Sequence, residues 1–328
     1  MSKAVLFHET GGPEVLRVED VELPEPGPGE LRIRVEAFGL NRAEGMLRSG
    51  TYVYRCALPA RLGYEAAGVV EAVGPSVAGF AVGDPVSTVS GFAMGRYGVY
   101  GTHANVPAAA VLHRAPDVDA VTGAAAWVAH TTAYGALVEG GGMRPGDHVV
   151  IAAATGSVGL AAIQQANRLG AIPIATTRTK AKRAALEEEG AAHVIVTDEE
   201  DLAEEVAAIT GGRGAELVLD PVGGPFTPRA ALAVAPGGTL IVYGAQSGEP
   251  TPLPPNWPLT VTTYTNDRFL ADPGRFRRAR HFIDAGLRDG AFLPRVDRVY
   301  EGLEHTVEAH RRMESNAHVG KLVVRVSS

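Results

Sequence analysis

The 328-residue sequence predicts an α/β protein in two parts: a compact β-barrel or sandwich of short strands, and a doubly wound parallel sheet. Three observations carry that expectation. Residues 122–265 alternate apolar strand-like runs with helical patterns, two of them stopped by Gly190 and by Gly211-Gly212. Residues before 121 instead form short runs broken by Pro and Gly, as in Leu23-Pro24-Glu25-Pro26-Gly27-Pro28-Gly29-Glu30. A glycine-bearing turn at 154–159 joins a strand directly to a helix. A chain of this length is too long for one ordinary α/β domain and suits two.

In chain order, alternating or β-branched runs predict strands at 4–7, 31–37, 67–73 and 85–90. The second block gives strands at 149–153, 172–176, 193–196, 217–220 and 239–243. Its helices are expected at 158–169, 180–189, 202–210 and 227–232. Residues 266–328 add helices at 276–287 and 302–313, and a closing strand at 321–326 that returns to the first part. The expected division is therefore 1–121 together with 266–328 around a central 122–265.

The turn Ala154-Thr155-Gly156-Ser157-Val158-Gly159 follows a strand and opens a helix, with a second strand at βαβ distance. Unpaired N–H groups and the helix dipole at such a turn hold a pyrophosphate. Against the pattern G-x-G-x-x-G, Ala154 replaces the first glycine while Gly156 and Gly159 keep the other two. At the end of the second strand an enzyme using NAD places Asp or Glu for the ribose hydroxyls. Here Thr177-Arg178-Thr179 stands there, with Lys180, Lys182 and Arg183 behind it. A carboxylate would repel a 2′-phosphate, whereas a guanidinium can fork onto it. The cofactor expected is NADPH; a solvated basic helix start is the competing account.

A net charge of −7 argues against a general nucleic-acid or anionic-membrane surface. The start Met1-Ser2-Lys3-Ala4-Val5-Leu6-Phe7 lacks a signal-peptide core, and no apolar run reaches transmembrane length. A single cysteine permits no internal disulfide, so a cytoplasmic protein is expected. Cys56 alone cannot supply a structural zinc site, and the ten histidines are scattered without H-x-x-x-H spacing, so no metal is expected. His305 and His310, with Arg311 and Arg312 following, read as a solvated helix face.

Further motifs come in a specific order: Ala37-Phe38-Gly39-Leu40-Asn41, Arg48-Ser49-Gly50-Thr51-Tyr52, Leu58-Pro59, and Gly63-Tyr64-Glu65-Ala66-Ala67-Gly68-Val69-Val70. Val73-Gly74, Gly83-Asp84, Pro145-Gly146-Asp147, Asp220-Pro221-Val222-Gly223-Gly224 and Gly320-Lys321 follow. With the 154–159 turn, they make the whole chain resemble the medium-chain dehydrogenase/reductase superfamily, and within it the zinc-independent quinone oxidoreductase branch. The resemblance implies a GroES-like β-barrel catalytic domain, a Rossmann domain, NADPH in the cleft between them, and a homodimer. In zinc alcohol dehydrogenases the Asn41 position is a zinc-binding Cys and the Tyr64 position a zinc-binding His. Both are replaced here, and the four-cysteine lobe is absent.

The same resemblance implies roles. Asn41 hydrogen-bonds near the nicotinamide ribose, or serves as a turn residue. Tyr52 offers a phenol to the substrate, or packs on the barrel. Thr132 contacts the nicotinamide, or caps a helix. Gly244 lets backbone pass beside the nicotinamide ring. Cofactor contacts are also expected at Ala154, Thr155, Gly156, Ser157, Val158, Gly159, Thr177, Arg178, Thr179, Lys182, Val222, Ala245 and Lys321. Glu65 reads as structural. The substrate loop at 87–103 carries Gly91, Gly95, Gly98 and Gly101 and reads as pliable. The implied chemistry is hydride delivery from NADPH to a quinone or an α,β-unsaturated carbonyl. An enoyl-thioester reductase and a non-catalytic NADPH-binding protein are the alternatives.

Overall fold

In β3 (Glu30–Gly39), Leu31, Ile33 and Val35 alternate with Arg32, Arg34 and Glu36, so one face is buried and the other meets solvent. The computed structural model that shows this describes residues 1–256 and 258–326. Ahead of β3, β1 (Ser2–Phe7) pairs antiparallel with β2 (Leu16–Val21) over all six residues. β1 also meets β4 (Ala60–Arg61). The second barrel sheet adds β5 (Glu65–Val73), β6 (Pro85–Thr88), β7 (His103–Pro107) and β8 (Val111–His113). β3 pairs with both β5 and β7. Phe7, Leu31, Ile33, Phe38 and Tyr100 fill the core they enclose.

The parallel sheet follows: β9 (His148–Ile151), β10 (Ile172–Thr177), β11 (His193–Val196), β12 (Ala215–Asp220), β13 (Val234–Val242) and β14 (Thr260–Thr263). Its order is β11-β10-β9-β12-β13-β14, with every neighbouring pair parallel. The first strand therefore lies beside the fourth, and the winding reverses between β9 and β12, where such sheets bind ligands. The chain then returns to the barrel through β15 (Val296–Glu301) and β16 (Lys321–Arg325), which pairs with β3 at Ala37 to Gly39.

Two compact units result, Met1–Val128 with Pro294–Ser328, and Ala129–Leu293. The expected return to the barrel at 266 thus comes at 294. The helices Asn266–Leu270 and Pro273–Arg288 stay with the parallel sheet because their aromatic faces pack there. Phe269 and Phe282 lie against Tyr134, with ring centroids 6.3 and 5.3 Å away. The expected helix at 302–313 is a short 3-10 turn, Leu303–His305, followed by the helix Thr306–Glu314. His305 is solvated as expected, but His310 is fully buried, its ring edge-on to Tyr100 at 5.9 Å. Strands β2, β4, β7, β8 and β15 and the helix Arg42–Ser49 were not expected.

Three of the four loop glycines read as pliable, Gly95, Gly98 and Gly101, have packing reasons instead. An added Cβ at Gly95 would meet Cys56 Cβ at 2.6 Å, at Gly98 the Leu62 carbonyl at 2.5 Å, and at Gly101 the Lys3 carbonyl at 2.5 Å. They allow close backbone approach rather than freedom.

Candidate functional site

The barrel unit gathers its polar residues around one carboxylate. Asn41 caps the helix Arg42–Ser49 in an extended conformation, φ −127° and ψ 150°. Glu44, three residues on, accepts the Asn41 backbone N–H, the reach-back half of a capping box. Glu44 is wholly buried and accepts three further bonds: from Asn41 Nδ2 at 3.1 Å, the Tyr64 backbone N–H at 3.2 Å, and the Tyr100 phenol at 2.7 Å. Burial pushes its carboxyl up to about 7, against the pull of the Asn41 and Tyr100 donors and of Lys321.

Lys321 opens β16 and is buried beside this group. Its Nζ donates to Asn41 Oδ1 at 2.7 Å and lies 2.5 Å from Glu65 Oε2. Glu65 Oε1 in turn accepts the Val128 backbone N–H at 2.9 Å, which fits its structural reading. An ammonium only donates and a carboxylate only accepts, so Lys321 and Glu44 together dictate which way the Asn41 amide faces.

Tyr64 brings a phenol cluster to the same place. Its hydroxyl bonds to that of Tyr54 at 3.1 Å and lies 3.5 Å from that of Tyr52. Burial, reinforced by the two neighbouring phenols, holds Tyr64 far above the usual phenol range. Tyr52 also sets its ring edge-on to Tyr54 at 5.0 Å, and it packs on the barrel core. Both readings of Tyr52, phenol donor and packing aromatic, therefore describe one placement. Glu44, Tyr54 and Tyr100 were not anticipated. Asn41-x-x-Glu44 is legible as a helix start, but nothing local marks that carboxylate as buried.

In the second unit, the turn after β9 leads into the helix Ser157–Leu169, whose N-cap Gly156 provides no side-chain cap. The Ala154 N–H donates to the Thr176 carbonyl at 3.0 Å, tying this turn to the end of β10. Ala153 adopts φ +47°, a left-handed conformation that costs a non-glycine residue about 1–2 kcal/mol. Gly159 is required by packing, since a Cβ there would meet Ala154 Cα at 2.5 Å. Gly156 differs: its φ of −75° suits any residue, and its nearest neighbour would be the Ala153 carbonyl at 3.7 Å.

Thr177 is buried at the end of β10, and its hydroxyl accepts the Thr179 N–H at 3.4 Å. Arg178 is exposed, and among the described residues its guanidinium has no ion-pair or hydrogen-bond partner. Lys182 ends the 3-10 turn Lys180–Lys182, which replaces the start of the expected helix. Arg183 is committed elsewhere, to Glu200 at 3.0 Å and the Val194 carbonyl at 2.7 Å.

Beyond β12, buried Asp220 accepts the N–H groups of Val222 at 2.7 Å and Gly223 at 3.1 Å, and the Thr227 hydroxyl at 2.6 Å. That turn is laced to the one after β13, where a Cβ on Gly244 would meet the Pro221 carbonyl at 2.4 Å. Packing alone accounts for this glycine; Ala245 beside it is exposed. Thr132 lies inside the helix Trp127–Ala133, so it is not a helix cap.

Comparison with known proteins agrees with both units. Residues 27–117 match the alcohol dehydrogenase GroES-like domain, and residues 157–283 match the family described as zinc-binding dehydrogenase. A quinone oxidoreductase of Pseudomonas aeruginosa is 36% identical over 76% of this chain and 76% of its own length. A 2-haloacrylate reductase of Burkholderia sp is 30% identical over 99% of each chain. The solved structure of Escherichia coli quinone oxidoreductase complexed with NADPH superposes with a TM-score of 0.90 at 28% identity, covering 98% of this chain and 99% of that one. A barrel joined to a parallel sheet wound in this order defines a two-domain dehydrogenase. The chain belongs to the medium-chain dehydrogenase/reductase superfamily, in its quinone oxidoreductase branch.

Proposed function

We propose that this chain, an NADPH-dependent oxidoreductase, reduces quinones or α,β-unsaturated carbonyl compounds without zinc, as a cytoplasmic homodimer. The observation that carries the reading is Gly156. Neither its backbone conformation nor its packing asks for glycine, since a Cβ would meet nothing nearer than 3.7 Å. A phosphate brought up against that backbone does ask for it. The uncapped N–H groups of Ser157, Val158 and Gly159 would hold the pyrophosphate, and Arg178 with Thr179 and Lys182 the 2′-phosphate. Thr132, Val222, Gly244 and Ala245 are proposed toward the nicotinamide end, and Asn41 near its ribose, with Lys321 behind Asn41.

Bound NADPH supplies the hydride. The chain's own residues orient the acceptor and meet the charge that develops on it. The Tyr64 phenol stays protonated at any working pH, and with Tyr52 it can donate to a carbonyl oxygen as that oxygen gains charge. The resulting hydroquinone anion or enolate is delocalised, so water suffices to protonate it.

Zinc independence is supported by the donor set. At the two positions where zinc relatives place ligands, Asn41 is engaged by Lys321 and Glu44, and Tyr64 presents a protonated phenol. Elemental analysis giving one zinc per chain, with activity lost to a chelator, would contradict this. The dimer is supported by β14, which among the described residues ends the sheet with no further strand paired to it. That edge carries three threonines and Val261, which is 41% exposed. A solution mass of 34.2 kDa would count against the dimer. Among the described residues no helix is long and apolar enough to cross a membrane.

Steady-state NADPH oxidation against quinones, enones and enoyl thioesters tests the activity. Turnover of the first two supports it. Turnover of thioesters alone makes the protein an enoyl-thioester reductase. Tight NADPH binding with no turnover makes it a nucleotide-binding protein.

A further inference from the structure

We infer that Glu44 is a positioning residue for this reaction: its buried carboxylate fixes the Asn41 amide and the Tyr64 backbone in one mutual arrangement. The inference rests on the hydride-transfer reading above, because it is that reading which gives Asn41 and Tyr64 their tasks.

Helix capping does not account for Glu44. A helix start needs one acceptor at this position, and an exposed side chain provides it. Glu44 is instead wholly buried in the barrel and takes donors on both oxygens. Oε1 receives Asn41 Nδ2 and the Tyr64 N–H; Oε2 receives the Asn41 N–H and the Tyr100 phenol. Burying a carboxylate is unfavourable unless its donors are provided, and here all four are. They come from three separate stretches of chain, so the carboxylate is a common reference point for the substrate end.

The arrangement also needs the charge. A glutamine of the same shape would replace one acceptor oxygen with an NH₂ group. In one orientation of that amide Asn41 Nδ2 and the Tyr64 N–H would face a donor, and the Asn41 amide would lose the partner that opposes Lys321. In the other the Asn41 backbone N–H would face a donor, while the Tyr100 hydroxyl could turn to accept. The groups facing Glu44 are Lys321 from β16, Tyr100 from the segment before β7, and Asn41 and Tyr64. Behind Tyr100 stand Arg48, Glu65 and His310. Burial holds Tyr100 well above the phenol range and His310 down at about 3, so neither changes charge between pH 5 and 9.

The test compares wild type with Glu44→Gln, Glu44→Asp and Tyr100→Phe. NADPH affinity is followed by fluorescence titration, kcat with the best quinone or enone, and folding by urea denaturation, from pH 5.5 to 8.5. The wild-type advantage over Glu44→Gln in NADPH affinity and in kcat should grow as pH rises through about 7. It should reach about tenfold or more at the alkaline end, the scale of a lost charge-assisted bond. Tyr100→Phe removes a donor from the same carboxylate without touching Asn41, so it should lower stability and move the pH midpoint upward, while keeping wild-type affinity at the alkaline end. If Glu44→Gln does not fold, Glu44→Asp serves: it keeps the charge with shorter reach, and should bind less tightly with the pH dependence intact. The inference is overturned if folded Glu44→Gln matches wild type throughout, if Tyr100→Phe reproduces its losses, or if Glu44→Asp shows no pH dependence. A wild type that turns over no acceptor, yet whose NADPH affinity still responds to Glu44, overturns the reaction and leaves the positioning role.

Discussion

Lys321 and Glu65 form a buried ion pair, Nζ to Oε2 at 2.5 Å, with side chains 1% and 0% exposed. Removing one partner strands the other charge in the barrel. Lys321→Met should therefore cost roughly 3–5 kcal/mol of stability by urea denaturation. Adding Glu65→Gln to it should recover part of that loss, because no uncompensated charge remains. Equal losses in the single and double variants would mean that packing, not charge, sets the cost.

The two glycines of the phosphate turn should separate folding from binding. Gly159→Ala forces a methyl against Ala154 backbone at 2.5 Å and should destabilise by roughly 1–3 kcal/mol. Gly156→Ala has room within the protein and should leave the urea midpoint near wild type while weakening NADPH at least tenfold. A Gly156→Ala variant with unchanged NADPH affinity would remove the main support for the cofactor site.

Arg178 is exposed with no partner among the described residues, so its replacement should cost the fold little. Arg178→Ala should weaken NADPH about ten- to hundredfold, from a contact contributing roughly 1.5–3 kcal/mol, and leave NADH nearly unchanged. Added salt should narrow the wild-type preference, since the contact lies near solvent. Equal weakening of both cofactors would show that Arg178 does not read the phosphate.

Glu44 should make stability depend on pH in a known direction. Its folded carboxyl sits at about 7 against an ordinary 4.5, so the folded state keeps this proton where the unfolded chain has released it. Its stabilising contribution is complete below 4.5 and is lost as pH rises through about 7, by roughly 3 kcal/mol at 1.36 kcal/mol per pKa unit. The difference in urea stability between wild type and Glu44→Gln should follow that curve; a flat difference from pH 4 to 8 would exclude it. The charged form proposed to serve the site is thus the less stable one, a conflict common at functional sites.

Patterns spanning a few residues were legible in the chain. The alternation in β3, the glycine stops after the helices and the strand–turn–helix around Gly156 and Gly159 each follow from local backbone preference and side-chain period. That the second sheet is parallel followed as well, because strands alternating with helices connect by crossovers; its strand order was read only from the structure. Three features had no such local signature. The helix Pro273–Arg288 belongs to the parallel-sheet unit through aromatic contacts with Tyr134 and Phe292, and its own periodicity shows an apolar face without naming the partner. His310 reads as solvated beside two arginines, yet the face it occupies turns inward against Tyr100. Lys321 meets Asn41 across 280 residues, and that bond, with Glu44 opposite, sets the amide's direction. Residue types and spacing carry the energies of neighbours along the chain. Which buried donor meets which buried acceptor depends on how distant strands and helices pack, and that is settled only when the barrel closes.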